Sequence, residues 1–203
     1  VLPYAVVNRV GGTEVTLAYI LRHTQLLPRH LLRILNGIMR RNREANGEEL
    51  RVQPEAVTEG VNRVKELLVT EIFTAYSAVH PMAREVCRRV IPDLGIVFPE
   101  GQLHRTFNQA GIRKATGLDY FDFKEMLLEI GSLGRVLDRT DRYVEGEFDY
   151  TLPTPLFPAS DDDLCLHPLF SWLFQARRDA YGPDGTPLAV YPYGADPDHK
   201  ATW

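Results

Sequence analysis

Val57, Val61, Val64, Leu68, Ile72 and Ala75 recur at steps of three and four, a run that a helix alone gathers onto one face. A strand would send alternate members of the set to opposite sides. The spacing predicts one long helix ending near Tyr76, with Gly60 weakening its first turn by up to ~1 kcal/mol relative to Ala. Ahead of it, residues 14–24 and 28–43 read as two further helices. In the second of these, Leu31, Leu32, Leu35, Ile38 and Met39 form the expected core face, and Arg29, Arg33, Asn36 and Arg40 the opposite stripe. Pro28 suits a first-turn position, because its missing N–H is not needed there and its φ is already helical. The polar segment from Asn42 to Pro54, with Gly47 inside it, is the expected boundary between two units.

Beyond the long helix, Pro81 opens a shorter one carrying Ala83, Val86, Cys87 and Val90, which closes before Pro92. Another runs from about Glu100 to Ala110, with Leu103 and Phe107 inward and Gly111 as its stop. Asp122-Phe123-Lys124-Glu125 has the form of a capping box and introduces Phe123, Met126, Leu127 and Ile130, after which Gly131 ends the helix. Period-two alternation follows, in Leu133–Leu137 and again in Tyr143–Tyr150, where Glu145, Glu147 and Asp149 alternate with Gly146, Phe148 and Tyr150. The two runs pair as a hairpin. The short stretch from Cys165 to Phe174, CLHPLFSWLF, reads as an aromatic helix, with His167-Pro168 fixing its start. The expected fold is mainly α with a small β-hairpin: a helical segment over 1–50, a helix-and-hairpin domain over 51–175 and a loosely docked Pro/Gly-rich tail over 176–203.

With 203 residues, the chain is long enough for two small units. Its 44% hydrophobic and 25% charged residues are ordinary for a globular protein. No apolar run approaches the ~18–20 residues that cross a bilayer, and VLPYAVVNRV is neither a basic nor a cleavable start, so no membrane partner and a cytoplasmic location are expected. The missing initiator Met reads as a fragment or a trimmed chain. Cys87 and Cys165 stand far apart, outside any Cys-x-x-Cys pair, and read as free buried thiols. Charge is uneven: residues 1–50 hold seven Arg against four Glu, and residues 151–203 hold seven Asp against three Lys or Arg. The overall charge of −4 argues against strong nonspecific nucleic-acid binding, which phosphate neutralisation would have to supply.

The order helix, helix, hairpin, carried by GQLHRTFNQAGI, DFKEMLLEIGSLGRV and EGEFDYTL, resembles a winged-helix domain. FKEMLLEIGSLGRV, the strand after it and the His-Pro of CLHPLF are similar to the C-terminal region of bacterial P-loop ATPases of the STAND and AAA-like classes, and LLPRHLLRILN is similar to the Pro-Arg lid helix of those proteins. The resemblance covers about Thr16 to Phe174. It implies that Arg29 senses the phosphates of a nucleotide held by an upstream ATPase core, with Arg33 one turn later as helper. A planar, permanently charged donor fork suits a polyphosphate, and the positive end of a helix dipole adds to the attraction. ATP with Mg is implied for the full-length protein. None is expected on this chain alone, because it contains neither Gly-x-x-x-x-Gly-Lys-Ser/Thr nor an apolar strand ending in Asp-Glu, and hydrolysis by it alone is not expected.

A different reading of the arginines is a phosphate-contacting stripe for DNA, since Arg29, Arg33, Arg40, Arg41 and Arg43 cluster. The third helix resists it, offering Asp122, Glu125 and Glu129 against Lys124 where a DNA reader would expose cations. His104, Arg105, Arg113 and Lys114 form a modest positive patch, and Arg135 lies in a hairpin of mixed charge. The ATPase core or another protein surface is therefore the expected partner, with DNA as the alternative. His23, His30, His80, His104, His167 and His199 show no metal-ligand spacing, and Asp161-Asp162-Asp163 lacks the Gly and distal Glu of a calcium loop.

Overall fold

A computed structural model describes residues 1–8, 11–47, 50–183, 185 and 187–195. His199 and the final stretch of the expected tail lie outside the described residues. The chain opens with a small antiparallel pair, β1 (Ala5–Val7) and β2 (Thr13–Val15), and a short helix, α1 (Thr16–Leu21). Two long helices follow, α2 (Pro28–Asn46) and α3 (Pro54–Tyr76), each with Pro in its first turn. Then come α4 (Ala83–Val90), β3 (Val97–Pro99), α5 (Glu100–Gln109), α6 (Ile112–Thr116) and α7 (Tyr120–Glu129). β4 (Leu133–Arg139), β5 (Tyr143–Phe148), β6 (Asp163–Leu166), α8 (Pro168–Leu173) and β7 (Ala189–Pro192) complete the order.

The architecture is mixed α and β rather than mainly α. The expected hairpin exists, as β4 and β5, but it forms the middle of a five-stranded sheet ordered β3-β6-β4-β5-β7. Every neighbouring pair is antiparallel except β5 and β7, which run parallel. β3, β6 and β7 are three or four residues long, too short for alternation to declare itself, and their pairing comes from tertiary context. β7 arises within the segment expected to dock loosely.

Gly37 and Gly60 explain how α2 and α3 cross so closely. A Cβ on Gly60 would lie 2.5 Å from the Cα of Ile38, and one on Gly37 would lie 3.0 Å from the Gly60 carbonyl. The glycine that weakens α3 intrinsically is what lets the two backbones meet. The crossing also turns α2 from its expected orientation: His30, Ile34, Ile38 and Asn42 are buried, whereas Leu32 and Met39, expected inside, are exposed. Val57, Val61, Leu68 and Ile72 of α3 are buried as the periodicity predicts, and Ala75 is exposed.

The main core joins α2, α3, α4, α5, α7 and α8, and a second cluster, with Val144, Phe148, Cys165, Leu188 and Val190, lies around β5 and β7. The cap of α7 is Asp119 rather than Asp122: its carboxylate accepts the Asp122 N–H at 2.9 Å. Gly131 ends the helix with φ 67°, a left-handed value that favours glycine. Cys87 and Cys165 are both free and buried, and burial pushes the Cys87 thiol up to about 12.

Candidate functional site

The first turn of α2 is assembled by the six residues before it. Thr24 Oγ1 accepts the Leu26 N–H at 2.9 Å, holding Leu26 at φ 53°, a left-handed conformation that costs a leucine on the order of 1 kcal/mol. Leu27 then returns to extended backbone, and Pro28 occupies the first helical position. No side chain caps this turn and no acidic residue lies in it. Arg29 is exposed, and among the described residues its guanidinium has no hydrogen-bond or ion-pair partner. A cation at the positive end of a helix dipole is disfavoured by ~0.3–1 kcal/mol. An anion arriving there would reverse that sign.

Two buried contacts fix this turn to the C-terminal half. Gln25 Nε2 donates to the Ile130 carbonyl at 2.8 Å, directly before Gly131. His167 Nε2 donates to the Thr24 carbonyl at 3.0 Å, while its Nδ1 accepts the Leu169 N–H at 3.1 Å and so starts α8. The accepting Nδ1 places the single proton of the neutral ring on Nε2. Phe148, Tyr150 and Phe170 surround the imidazole edge to face, and burial, opposed by the Thr24 carbonyl, pushes its pKa down to about 3. His30, beside Arg29, accepts the Gln25 N–H through Nδ1 at 3.3 Å, and burial together with the Arg29 charge lowers its pKa.

The other candidate residues divide by whether their charge is already answered. Arg33 meets Glu71 at 2.6 Å, Arg41 pairs with Glu59, and Arg135 pairs with Glu147 and lies 3.6 Å from Asp162. Arg40 is exposed, in a groove between α2 and α3 that also contains the Arg63–Glu44 pair. His104 packs edge to face on Tyr120 at 4.6 Å. Arg105, Arg113 and Lys114 are exposed on α5 and α6, with no ion-pair partner among the described residues. On α7, Phe121, Asp122 and Glu125 are exposed, Lys124 pairs with Glu100 at 2.9 Å and Glu129 with His80.

Among the described residues no three His, Cys, Asp or Glu side chains gather as metal ligands, and no helix is long and apolar enough to cross a membrane. Comparison with known protein families, with curated proteins and with solved structures finds no match. The physics of the site stands by itself.

Sequence reading names Arg29 as a candidate but misses the contacts that hold its turn in place. The bonds from the Gln25 side chain and to the Thr24 carbonyl leave no local signal, because their partners lie more than a hundred residues away. Lys65 is missed as well, although it leaves a trace: it falls four residues after Val61 and three before Leu68, in register with the apolar stripe, and is only 4% exposed. A lysine in a core register is a signal that the periodicity itself could have raised.

Proposed function

We propose that this chain is the regulatory C-terminal region of a cytoplasmic P-loop ATPase, in which Arg29 senses the phosphates of a nucleotide bound by a preceding core. The observation that carries the reading is the exposed guanidinium of Arg29, unpartnered among the described residues, on an uncapped helix start that contains no carboxylate. ATP and Mg would be held by the core. Arg33 would assist only after releasing Glu71. The Gln25–Ile130 and Thr24–His167 contacts supply the relay, since they tie the sensor turn to the end of α7 and the start of α8. A shift of the turn then carries the sheet-bearing half with it, the rigid-body form of a nucleotide switch.

The order α4, β3, α5, α7 and the β4–β5 hairpin supports reading that half as an elaborated winged helix, with β6 between β3 and β4 and β7 added beyond β5. Its partner would be the ATPase core or another protein surface. DNA binding is the alternative, favoured by Arg105, Arg113 and Lys114, which have no ion-pair partner among the described residues, and opposed by the acidic exposed face of α7. Two titrations of the full-length protein separate the readings. ATP affinity that drops on Arg29→Ala supports the sensor, and wild-type affinity in that variant removes it. DNA affinity that falls steeply with added salt and on Arg113→Ala/Lys114→Ala would instead establish the alternative.

A further inference from the structure

Phe157 and Phe121 are the two most exposed aromatic rings among the described residues, at 70% and 64%. They belong to one face, because Lys124, one turn after Phe121 on α7, reaches the Pro158 carbonyl at 3.5 Å and holds the segment 155–158 against that helix. The backbone around Phe157 is fixed on both sides. Leu156 is buried and its N–H donates to Asp149 Oδ1 at 2.8 Å, and the Ala159 N–H donates to Asp162 Oδ2 at 2.8 Å. A ring presented outward from so anchored a stretch has little freedom left to lose on meeting a partner. The rim of the face is acidic: Asp119, Asp122, Glu125, Asp161 and Asp163 are exposed and have no ion-pair partner among the described residues, while Lys124 is already held by Glu100 at 2.9 Å.

A groove of about 490 Å³ between α2 and α3 has the opposite character. Gly37 opens it, since a Cβ there would lie only 2.9 Å from Val64 Cγ1. Leu67, in the lining, is 45% exposed, and Leu32 and Met39 are exposed on α2, each next in sequence to a lining arginine, Arg33 and Arg40. Arg33 and Arg63 are answered by Glu71 and Glu44. Glu44, the one acid of the lining, also feels the Arg40 charge, so one carboxylate serves two cations and one positive charge is in excess. Arg43, exposed one turn after Met39 and with no ion-pair partner among the described residues, adds another. The patch on α5 and α6 carries cations as well, but none of the exposed large apolar side chains lies on it.

We infer that the Phe157 face of one copy of this chain docks in the α2–α3 groove of a second copy. Both surfaces are exposed within a copy, so they do not meet inside it. Two acidic faces, or two grooves with cations in excess, repel each other, whereas an acidic aromatic face and a basic apolar groove complement each other. Pairing unlike surfaces is head-to-tail, and each added copy leaves one surface of each kind open for the next. Two rings against three aliphatic side chains make a small contact of the weak, transient class, so association grows with concentration. The pairing uses neither Arg29 nor a nucleotide.

Sedimentation of this chain between ~10 μM and ~1 mM tests the inference. The expected result is a mean mass that rises with concentration past that of the monomer and falls back on adding ~0.5 M salt. Phe157→Ser and Arg40→Glu change exposed side chains, so each should unfold in urea close to wild type and associate about tenfold more weakly. Each variant keeps one intact surface, so an equal mixture of the two should form a dimer and grow no further. A mean mass fixed at the monomer up to ~1 mM leaves both surfaces to proteins of other sequence and overturns the inference. So does association that either variant leaves undiminished, or a mixture that stays as monomeric as each variant alone. Arg29→Ala should associate as wild type does, so failure of the sensor and failure of the docking are read separately.

Discussion

His167 donates from Nε2 to the main-chain carbonyl of Thr24 at 3.0 Å, across 143 positions of sequence. Together with the Gln25–Ile130 bond, it makes the approach to α2 part of the C-terminal half. Gln25→Ala leaves the Ile130 carbonyl buried without this donor and is expected to destabilise by ~1–3 kcal/mol. His167→Ala also removes a ring packed by three aromatics, so its expected loss approaches the ~3–5 kcal/mol of a core aromatic truncation. Urea denaturation of both variants checks this. Wild-type midpoints would show the two contacts to be incidental.

The buried histidines give the fold a definite acid response. Burial lowers the pKa of both His23 and His167 below the ordinary value of 6.5, that of His167 to about 3. The unfolded chain therefore binds protons that the folded one refuses. Their neutral forms suit the fold above pH 6.5, and stability is lost as pH falls through that value, by up to ~1.4 kcal/mol per pH unit for each ring. Urea midpoints should fall steadily on moving from neutral pH to about pH 5. A flat profile across that window would contradict the buried neutral state.

Helical periodicity conveyed much of the helical framework, because Val57, Val61, Leu68 and Ile72 sit on a stripe that packing then used. It failed on the rotation of α2, where close approach at Gly37 and Gly60 turned His30 inward and Leu32 outward. Its strand counterpart found β4 and β5 and missed β1, β2, β3, β6 and β7, whose three or four residues take their conformation from neighbours; β2 takes Glu14 and Val15 from the helix expected over 14–24, which runs only over Thr16–Leu21. Arg29 was legible as a candidate because a Pro-Arg pair at a helix start is a local pattern. Its anchoring by Thr24, Gln25 and His167 was not, since no local pattern encodes a contact between remote residues.

Two glycines in helices should respond oppositely to alanine. Gly60→Ala gains helix propensity but drives a methyl into the Ile38 backbone, so a net loss is expected from overpacking that typically costs ~1–3 kcal/mol. At Gly101, in α5, an added Cβ meets nothing within 4 Å, and alanine should stabilise by ~0.5–1 kcal/mol. Thermal melts of the pair check the crossing of α2 and α3. Stabilisation by both would place that crossing elsewhere.

Glu14 joins the N-terminal strands to β7 through buried charge. Burial alone would raise its carboxyl, yet the Arg22 charge and hydrogen bonds from Arg22, Tyr191 and Asn8 hold it below its ordinary value. Glu14→Gln leaves the Arg22 guanidinium uncompensated, an expected loss of ~3–5 kcal/mol. Glu85→Gln, which breaks the exposed pairs with Arg88 and Arg89, should change the urea midpoint little. Equal effects would deny the buried network its role.

The most direct test of the sensor is ATP affinity of the full-length protein with Arg29→Ala, measured beside the stability of the same variant. Arg29 is exposed and unpartnered among the described residues, so its loss should leave the unfolding free energy, measured by urea denaturation, within ~1 kcal/mol of wild type. Loss of one charge-assisted phosphate contact should at the same time weaken ATP binding about tenfold. Unchanged stability with tenfold weaker binding is the predicted result; unchanged stability with wild-type ATP affinity would contradict it.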